Sequence, residues 1–180
     1  MHELTSAAVA LMVCVAAGSY LAGCCNGAII TSFLFYHDDI RKHGSHNAGL
    51  TNFYRVYGGK FAVCVILIDM LKAFVAVKLG SIVFGEYLGL RLEGEYFSAL
   101  FCVIGHIFPA FYSFKGGKGI LSGGAIALMM DWRIALVVWG GFLVLAILTR
   151  YVSLGSLWAG ASFPFISWYC YPNPIIVVLA

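Results

Sequence analysis

The residues best suited to chemistry lie in four places. The first is the longest polar run in the chain, DDIRKHGSHNAGLTNFYR at residues 38–55. Ser45, Asn47, Thr51 and Asn52 supply hydroxyls and amides close to the cations Arg41, Lys42 and Arg55. That set of donors suits an anionic oxygen ligand such as a phosphate, because arginine and lysine donate without accepting. The plain alternative is a polar loop joining two membrane helices. The second place is the turn Lys115-Gly116-Gly117-Lys118-Gly119. Glycines there let backbone N–H groups turn toward an anion, lysine adds a point charge, and the turn precedes a helical run. It is not a nucleotide-hydrolase phosphate loop, which needs Gly-x4-Gly-Lys-Ser/Thr; Tyr112 and Gly119 stand at the positions that would have to be glycine and hydroxyl.

Inside the apolar runs, His106 stands three residues before Pro109, and Asp69 and Lys72 are spaced i,i+3 on one helical face. Ionisable groups in a span are costly and are paired or face a cavity. A mutual ion pair is the expectation for Asp69 and Lys72, with a substrate or proton path as the alternative. The fourth place is the corner at residues 150–156, where Ser153 and Ser156 could cap a helix or bind a phosphate oxygen. No His-x4-Asp pair occurs, since residues 42, 48, 51 and 111 are Lys, Ala, Thr and Phe, and no Gly-x-Ser-x-Gly elbow occurs. An acyl group moved by this chain would therefore have to come from an intrinsically reactive donor, with the site working by positioning and charge stabilisation.

The elements that must position these residues are membrane helices. The 180 residues are 62% hydrophobic and only 11% charged, and the mean hydropathy is +0.93. Soluble domains are about 45–50% apolar and about 25% charged. The net charge of +3 is too small for a nucleic-acid surface. The six cysteines form no CxxC pair and read as small hydrophobes, with no metal site, disulfide or cofactor expected. No cleavable signal peptide is expected, because the first residues lack a basic region.

Apolar runs occupy residues 4–36, 61–84, 96–114, 120–130, 134–148 and 153–171, with a further run at 175–180. Asn26 is the one strongly polar residue inside the first run, and residues 85–95 read as an intervening polar segment. A span takes about 20 residues, and 11 residues of helix reach only about 16 Å, so 120–130 and 134–148 are short for full spans; either they extend through their polar ends or the first is a partial helix. Long apolar runs without alternation specify an all-α polytopic membrane bundle of six segments plus the stub of a seventh, in one integral-membrane domain over 1–180. Loops after the first, third and fifth runs hold Arg41, Lys42, Arg55, Lys60, Lys115, Lys118 and Arg150; the opposite loops hold Arg91 and Arg133. The positive-inside rule puts the first group in the cytoplasm and the N-terminus outside.

Three ordered blocks resemble the PlsY-type acyl-phosphate:glycerol-3-phosphate acyltransferases: DIRKxGSxNxGxTNxxR from Asp39 to Arg55, GHxFPxFxxFKGGKG from Gly105 to Gly119, and RYVSLxS from Arg150 to Ser156. Asp69-x-x-Lys72 also fits. The resemblance implies a seven-helix enzyme of the bacterial inner membrane. It would transfer a fatty acyl group from acyl-phosphate to the 1-position of glycerol 3-phosphate, giving 1-acyl-glycerol 3-phosphate and phosphate. It implies substrate contacts from Ser45, Asn47, Thr51, Asn52 and Arg55, phosphate binding by Lys115, Gly116, Gly117 and Lys118, and catalytic roles for His106 and Lys118. Ser153 and Ser156 would complete the site. The chain departs from the family pattern at His46, where glycine is usual, at Leu50, and at Gly23–Asn26, which replaces a Gly-Ser-Ile-Pro run. Against the family pattern, the seventh helix is expected to be truncated at Ala180. A small membrane transporter of a phosphorylated solute is the alternative reading of the same cations.

Overall fold

The computed structural model describes residues 6–180, which are all-helical with no strand among them. Nine α-helices follow in order: α1 Ser6–Cys24, α2 Gly27–Tyr36, α3 Leu50–Tyr57, α4 Ala62–Leu88, α5 Arg91–Ile107, α6 Ile120–Met130, α7 Trp132–Thr149, α8 Val152–Cys170 and α9 Pro174–Leu179. Three are long and apolar enough to cross a membrane by length and composition alone: α1, α7, and α5 with its continuation to Tyr112. The 27-residue α4 is longer still but carries Asp69 and Lys72 in its buried stripe, with Val65, Ala73, Ala76, Val77 and Gly80. Leu67, Leu71, Phe74 and Val75 on its other face are exposed, as lipid-facing side chains would be.

Helices meet where side chains are absent. A Cβ on Gly80 would strike the Gly94 carbonyl, and one on Gly23 would strike the Cys102 carbonyl. Glycine at those crossings lets α4 and α1 approach α5 to backbone contact, the small-residue packing that membrane helices use. One apolar core joins α4 to α9 through Val77, Tyr96, Ile126, Ile134 and Ile176. A second, smaller core of Ile29, Ile40, Ala48, Phe53 and Val65 underlies the polar run and holds it against α2 and α4.

Several boundaries differ from the sequence reading. The first apolar run, whose residues 4 and 5 lie outside the described part, is two helices broken at Cys25–Asn26 rather than one. The Asn26 side chain accepts the Ile29 N–H at 3.1 Å and so starts α2, because a side-chain cap can replace the missing helical acceptor. Residues 85–95 are helical except Gly89 and Leu90; Gly89 takes φ +67, which glycine adopts freely. The polar run, which reads as a loop, contains the helix α3. The partial helix at 120–130 is α6, joined to α7 through Asp131, whose carboxylate accepts the Arg133 N–H at 2.7 Å.

Polar contacts gather at two ends of the bundle. Arg41 donates to the carbonyls of Tyr112 and Lys115, and Lys118 reaches Ser153, so the polar run, the glycine turn and the α7–α8 corner share one end. At the other end Tyr171 donates to Asp131 and Asn173 to Glu93.

Candidate functional site

The polar run is shaped by its own side chains. Asp39 accepts the Arg41 backbone N–H at 3.0 Å and pairs with the guanidinium at 2.8 Å. The Arg41 hydrogen bond holds the Asp39 carboxyl below its usual range, and Asp39 in turn raises Arg41. The same guanidinium donates to the carbonyls of Tyr112 at 2.6 Å and Lys115 at 3.1 Å. It thereby ties the first block to the second. Asn52, almost wholly buried, accepts the Ser45 N–H at 2.8 Å and donates to the His43 carbonyl at 3.0 Å. Its amide is committed to folding the loop that presents Ser45. Gly44 and His46 both have positive φ, and His46 Nδ1 lies 3.0 Å from the Arg41 carbonyl oxygen.

The glycine turn is held from beneath. Gly116 N–H donates to the Ile107 carbonyl at 3.0 Å and Gly117 N–H to the His106 carbonyl at 3.2 Å. These two N–H groups, expected to face an anion, are therefore spent on α5. Gly117 is required by close approach, since a Cβ there would strike the Ala48 carbonyl. No hydrogen bond is formed by the N–H groups of Lys118 and Gly119 among the described residues. They lead into α6, whose first-turn N–H groups add to the same positive end.

Between these loops lies a cavity of about 440 Å³ lined by Ser45, Asn47, Thr51, Asn52, Arg55, His106, Lys118, Ser153 and Ser156. Lys115, Gly116 and Gly117 do not line it. Arg55 and Lys118 form no ion pair among the described residues, so the cavity carries two uncompensated cations. Ser153 Oγ accepts from Lys118 Nζ at 3.4 Å, whereas Ser156 donates within its own helix to Val152. A narrower apolar cavity of about 160 Å³, lined by Tyr96, Leu100, Val103, Phe163 and others, shares Lys118, Gly119 and Ile120 with the first. The polar and apolar spaces therefore meet at Lys118.

The wall behind His106 is a buried polar cluster in which the expected Asp69–Lys72 pair also meets the α1–α2 break. Lys72 Nζ lies 2.8 Å from Asp69 Oδ1, 3.2 Å from the Gly23 carbonyl and 3.1 Å from the Cys25 carbonyl. Asp69 Oδ1 accepts the Gly27 N–H at 3.1 Å. The pair thus plugs the α1–α2 break, with the cation on the free carbonyls ending α1 and the anion on the first N–H of α2, each at the favoured helix end. Asn26 Nδ2 donates to the Ala48 carbonyl at 3.1 Å and fastens the break to the polar run. The isolated asparagine in an apolar run was the sequence signal for this tie.

Helices enclosing a cationic pocket that opens into an apolar one are the arrangement that would suit an amphiphile with an anionic head. A family model described as Glycerol-3-phosphate acyltransferase matches residues 13–180. The glycerol-3-phosphate acyltransferase of Finegoldia magna is 43% identical over 138 residues, covering 77% of this chain and 67% of that protein. That of Pasteurella multocida is 39% identical over 156 residues, covering 86% and 75%. That of Ureaplasma urealyticum is 34% identical over 148 residues, covering 77% of this chain and 59% of that protein, so the chain spans only part of its relatives' length. The crystal structure of PlsY, an integral membrane glycerol 3-phosphate acyltransferase, in its glycerol 3-phosphate form superposes with a TM-score of 0.81 at 26% identity, over 93% of this chain and 82% of that one. Its lysophosphatidic acid form gives 0.77 at 25% identity, over 93% and 81%. The chain belongs to the glycerol-3-phosphate acyltransferase family, and it is a multi-pass helical membrane protein.

Proposed function

We propose that this chain transfers a fatty acyl group from acyl-phosphate to the 1-hydroxyl of glycerol 3-phosphate, releasing phosphate, at the first step of phospholipid synthesis. The observation that carries this reading is the junction at Lys118 of a cationic polar cavity with an apolar one. A phosphate head fits beside Arg55, Lys118 and the free N–H groups leading into α6, and an acyl chain fits along Leu100, Val103 and Phe163. Ser45, Asn47 and Thr51 hold the glycerol 3-phosphate, and Ser153 supports the Lys118 ammonium. The PlsY structures, in glycerol 3-phosphate and lysophosphatidic acid forms, support substrate and product of these kinds.

Acyl-phosphate is a mixed anhydride with a good leaving group, so no enzyme nucleophile is needed. The glycerol hydroxyl oxygen forms the new bond to the acyl carbon, the bond from that carbon to the phosphate oxygen breaks, and the hydroxyl proton leaves on a phosphate oxygen. Arg55 and Lys118 stabilise the charge that builds on the departing phosphate. The whole chain acts as one acyltransferase domain in a bacterial inner membrane, with this site on the cytoplasmic side and the N-terminus outside.

The test is release of phosphate and formation of labelled 1-acyl-glycerol 3-phosphate by the purified protein in detergent, with acyl-CoA compared in parallel as donor. Arg55→Ala and Lys118→Ala should each lower kcat/KM by about a hundredfold or more while leaving the melting temperature nearly unchanged. Full activity in both variants overturns the assignment. Transport of glycerol 3-phosphate into vesicles without turnover would replace it with a carrier.

A further inference from the structure

His106 is almost wholly buried and lines the polar cavity. Its Nδ1 lies 2.6 Å from Lys72 Nζ and 3.7 Å from Asp69 Oδ1. Lys72 is the cation of a buried ion pair and also faces two carbonyl oxygens, so its three N–H are shared among those oxygens and the ring, and it has no lone pair to offer. Nδ1 must accept from it, because a second proton there would set two donors against each other. The proton of the neutral ring then sits on Nε2. The nearest polar neighbour of Nε2 is Asn26 Nδ2, 3.5 Å away. Asn26 cannot be turned to offer its oxygen instead, since Oδ1 already accepts from Ile29 and Nδ2 donates to Ala48. The two nitrogens each face a donor, and the 2.6 Å contact with an ammonium outweighs the 3.5 Å contact with an amide, so Nε2–H is left as a buried donor without an acceptor among the described residues. Its ring edge is turned toward the glycine turn, where a Cβ on Gly117 would lie 2.5 Å from Nε2 and one on Gly119 would lie 3.8 Å from Cδ2. A buried donor left unpaired is costly, and one bordering a cavity has a ligand oxygen as its natural partner.

We propose that Asp69 and Lys72 are positioning residues that hold His106 as the neutral Nε2–H tautomer, so that Nε2–H donates to a phosphate or acyl carbonyl oxygen of the bound substrate. The imidazole is then a fixed donor and not a base, because its lone pair is occupied by Lys72. This takes its substrate from the acyltransfer reading above, but the tautomer can be examined without any substrate.

The first measurement is a long-range nitrogen–proton correlation spectrum of the full chain in detergent, labelled with nitrogen-15 at histidine. His106→Gln serves to assign the His106 signals. The expected result near neutral pH is a protonated Nε2 and an unprotonated Nδ1. A ring protonated at Nδ1, or at both nitrogens, overturns the proposal whether or not the protein turns over. In the double variant Asp69→Leu/Lys72→Met, which removes the pair as a unit, the ring should become a mixture of tautomers. An unchanged spectrum there ends the positioning role. If that variant does not fold, the wild-type spectrum still decides.

The kinetic arm compares His106→Leu with His106→Gln, whose amide nitrogen reaches close to the place of Nε2. His106→Leu should lose about a hundredfold in kcat/KM, as expected for one lost transition-state donor. His106→Gln should stay within about tenfold of wild type, the loss of an imperfect hydrogen bond. A loss confined to KM for glycerol 3-phosphate assigns the acceptor to its phosphate, and a loss in kcat assigns it to the acyl carbonyl. Equal impairment of the two variants overturns the donor role.

Discussion

His46 shows how much a single backbone angle explains. It stands where the pattern that the sequence resembles has glycine, and its φ of +57 is the left-handed conformation that glycine adopts without penalty. For other residues that region costs about 1–2 kcal/mol. The hydrogen bond between His46 Nδ1 and the Arg41 carbonyl offsets about 0.5–1.5 kcal/mol of it. His46→Gly should therefore leave the melting temperature within a few degrees of wild type, the strain relieved balancing the bond lost. His46→Val should lower it clearly, because a β-branched residue keeps the strain and has no bond to return. Thermal unfolding of the two purified variants checks the order. Asn52 makes a related point: its amide holds the Ser45 and His43 backbones, so in the proposed site its part is to present Ser45.

At the scale of the elements, the break between α1 and α2 organises the site. It lets Asn26 cap one helix and hold Ala48, while Lys72 and Asp69 satisfy the two facing helix ends. Asn26→Leu removes the cap, worth about 1 kcal/mol, and leaves a buried carbonyl at Ala48 unpaired, worth about 1–3 kcal/mol. Asn26→Ser keeps a capping oxygen and loses only the tie to Ala48. The expected order of thermal stability is Asn26, then serine, then leucine. The leucine variant should also lose affinity for glycerol 3-phosphate, because Ala48 lies within the loop that carries Ser45 and Asn47. Equal melting temperatures for all three would show that the break needs no side-chain support.

At the scale of the whole molecule, charge and polar contact sort together. Arg41, Lys42, Lys115, Lys118 and Arg150 belong to the end that contains the cavity, and Arg91 and Arg133 to the other. In the proposed orientation, which rests on the positive-inside rule, the cavity end faces the cytoplasm, where a water-soluble glycerol 3-phosphate would enter. With the native cysteines replaced, a cysteine at Lys42 or Ser113 should react with a membrane-impermeant thiol reagent only in inverted vesicles, and one at Gly89 or Trp132 only in right-side-out cells. The reverse pattern would exclude a cytoplasmic site.

Composition and run length alone determined a helical membrane bundle, because lipid leaves the backbone few other ways to satisfy its hydrogen bonds. Of the residues that the three blocks named, Ser45, Asn47, Thr51, Asn52, Arg55, His106, Lys118, Ser153 and Ser156 line the cavity, whereas Lys115, Gly116 and Gly117 do not, and Trp139 and Phe142 line it without having been named. Hydropathy could not show that residues 4–36 hold a break or that residues 50–57 form a helix, because both depend on partners far along the chain. Nor could it show that the Gly116 and Gly117 N–H groups are spent on α5, or that Asp69 and Lys72 reach past each other to two helix ends and His106. Those contacts join residues separated by up to 49 positions, such as Lys72 and Gly23. Residue type and local spacing state which groups can donate and accept; only the packing of α1, α2, α4 and α5 decides which donor meets which acceptor, and sets the two ring nitrogens of His106 against Lys72 and Asn26.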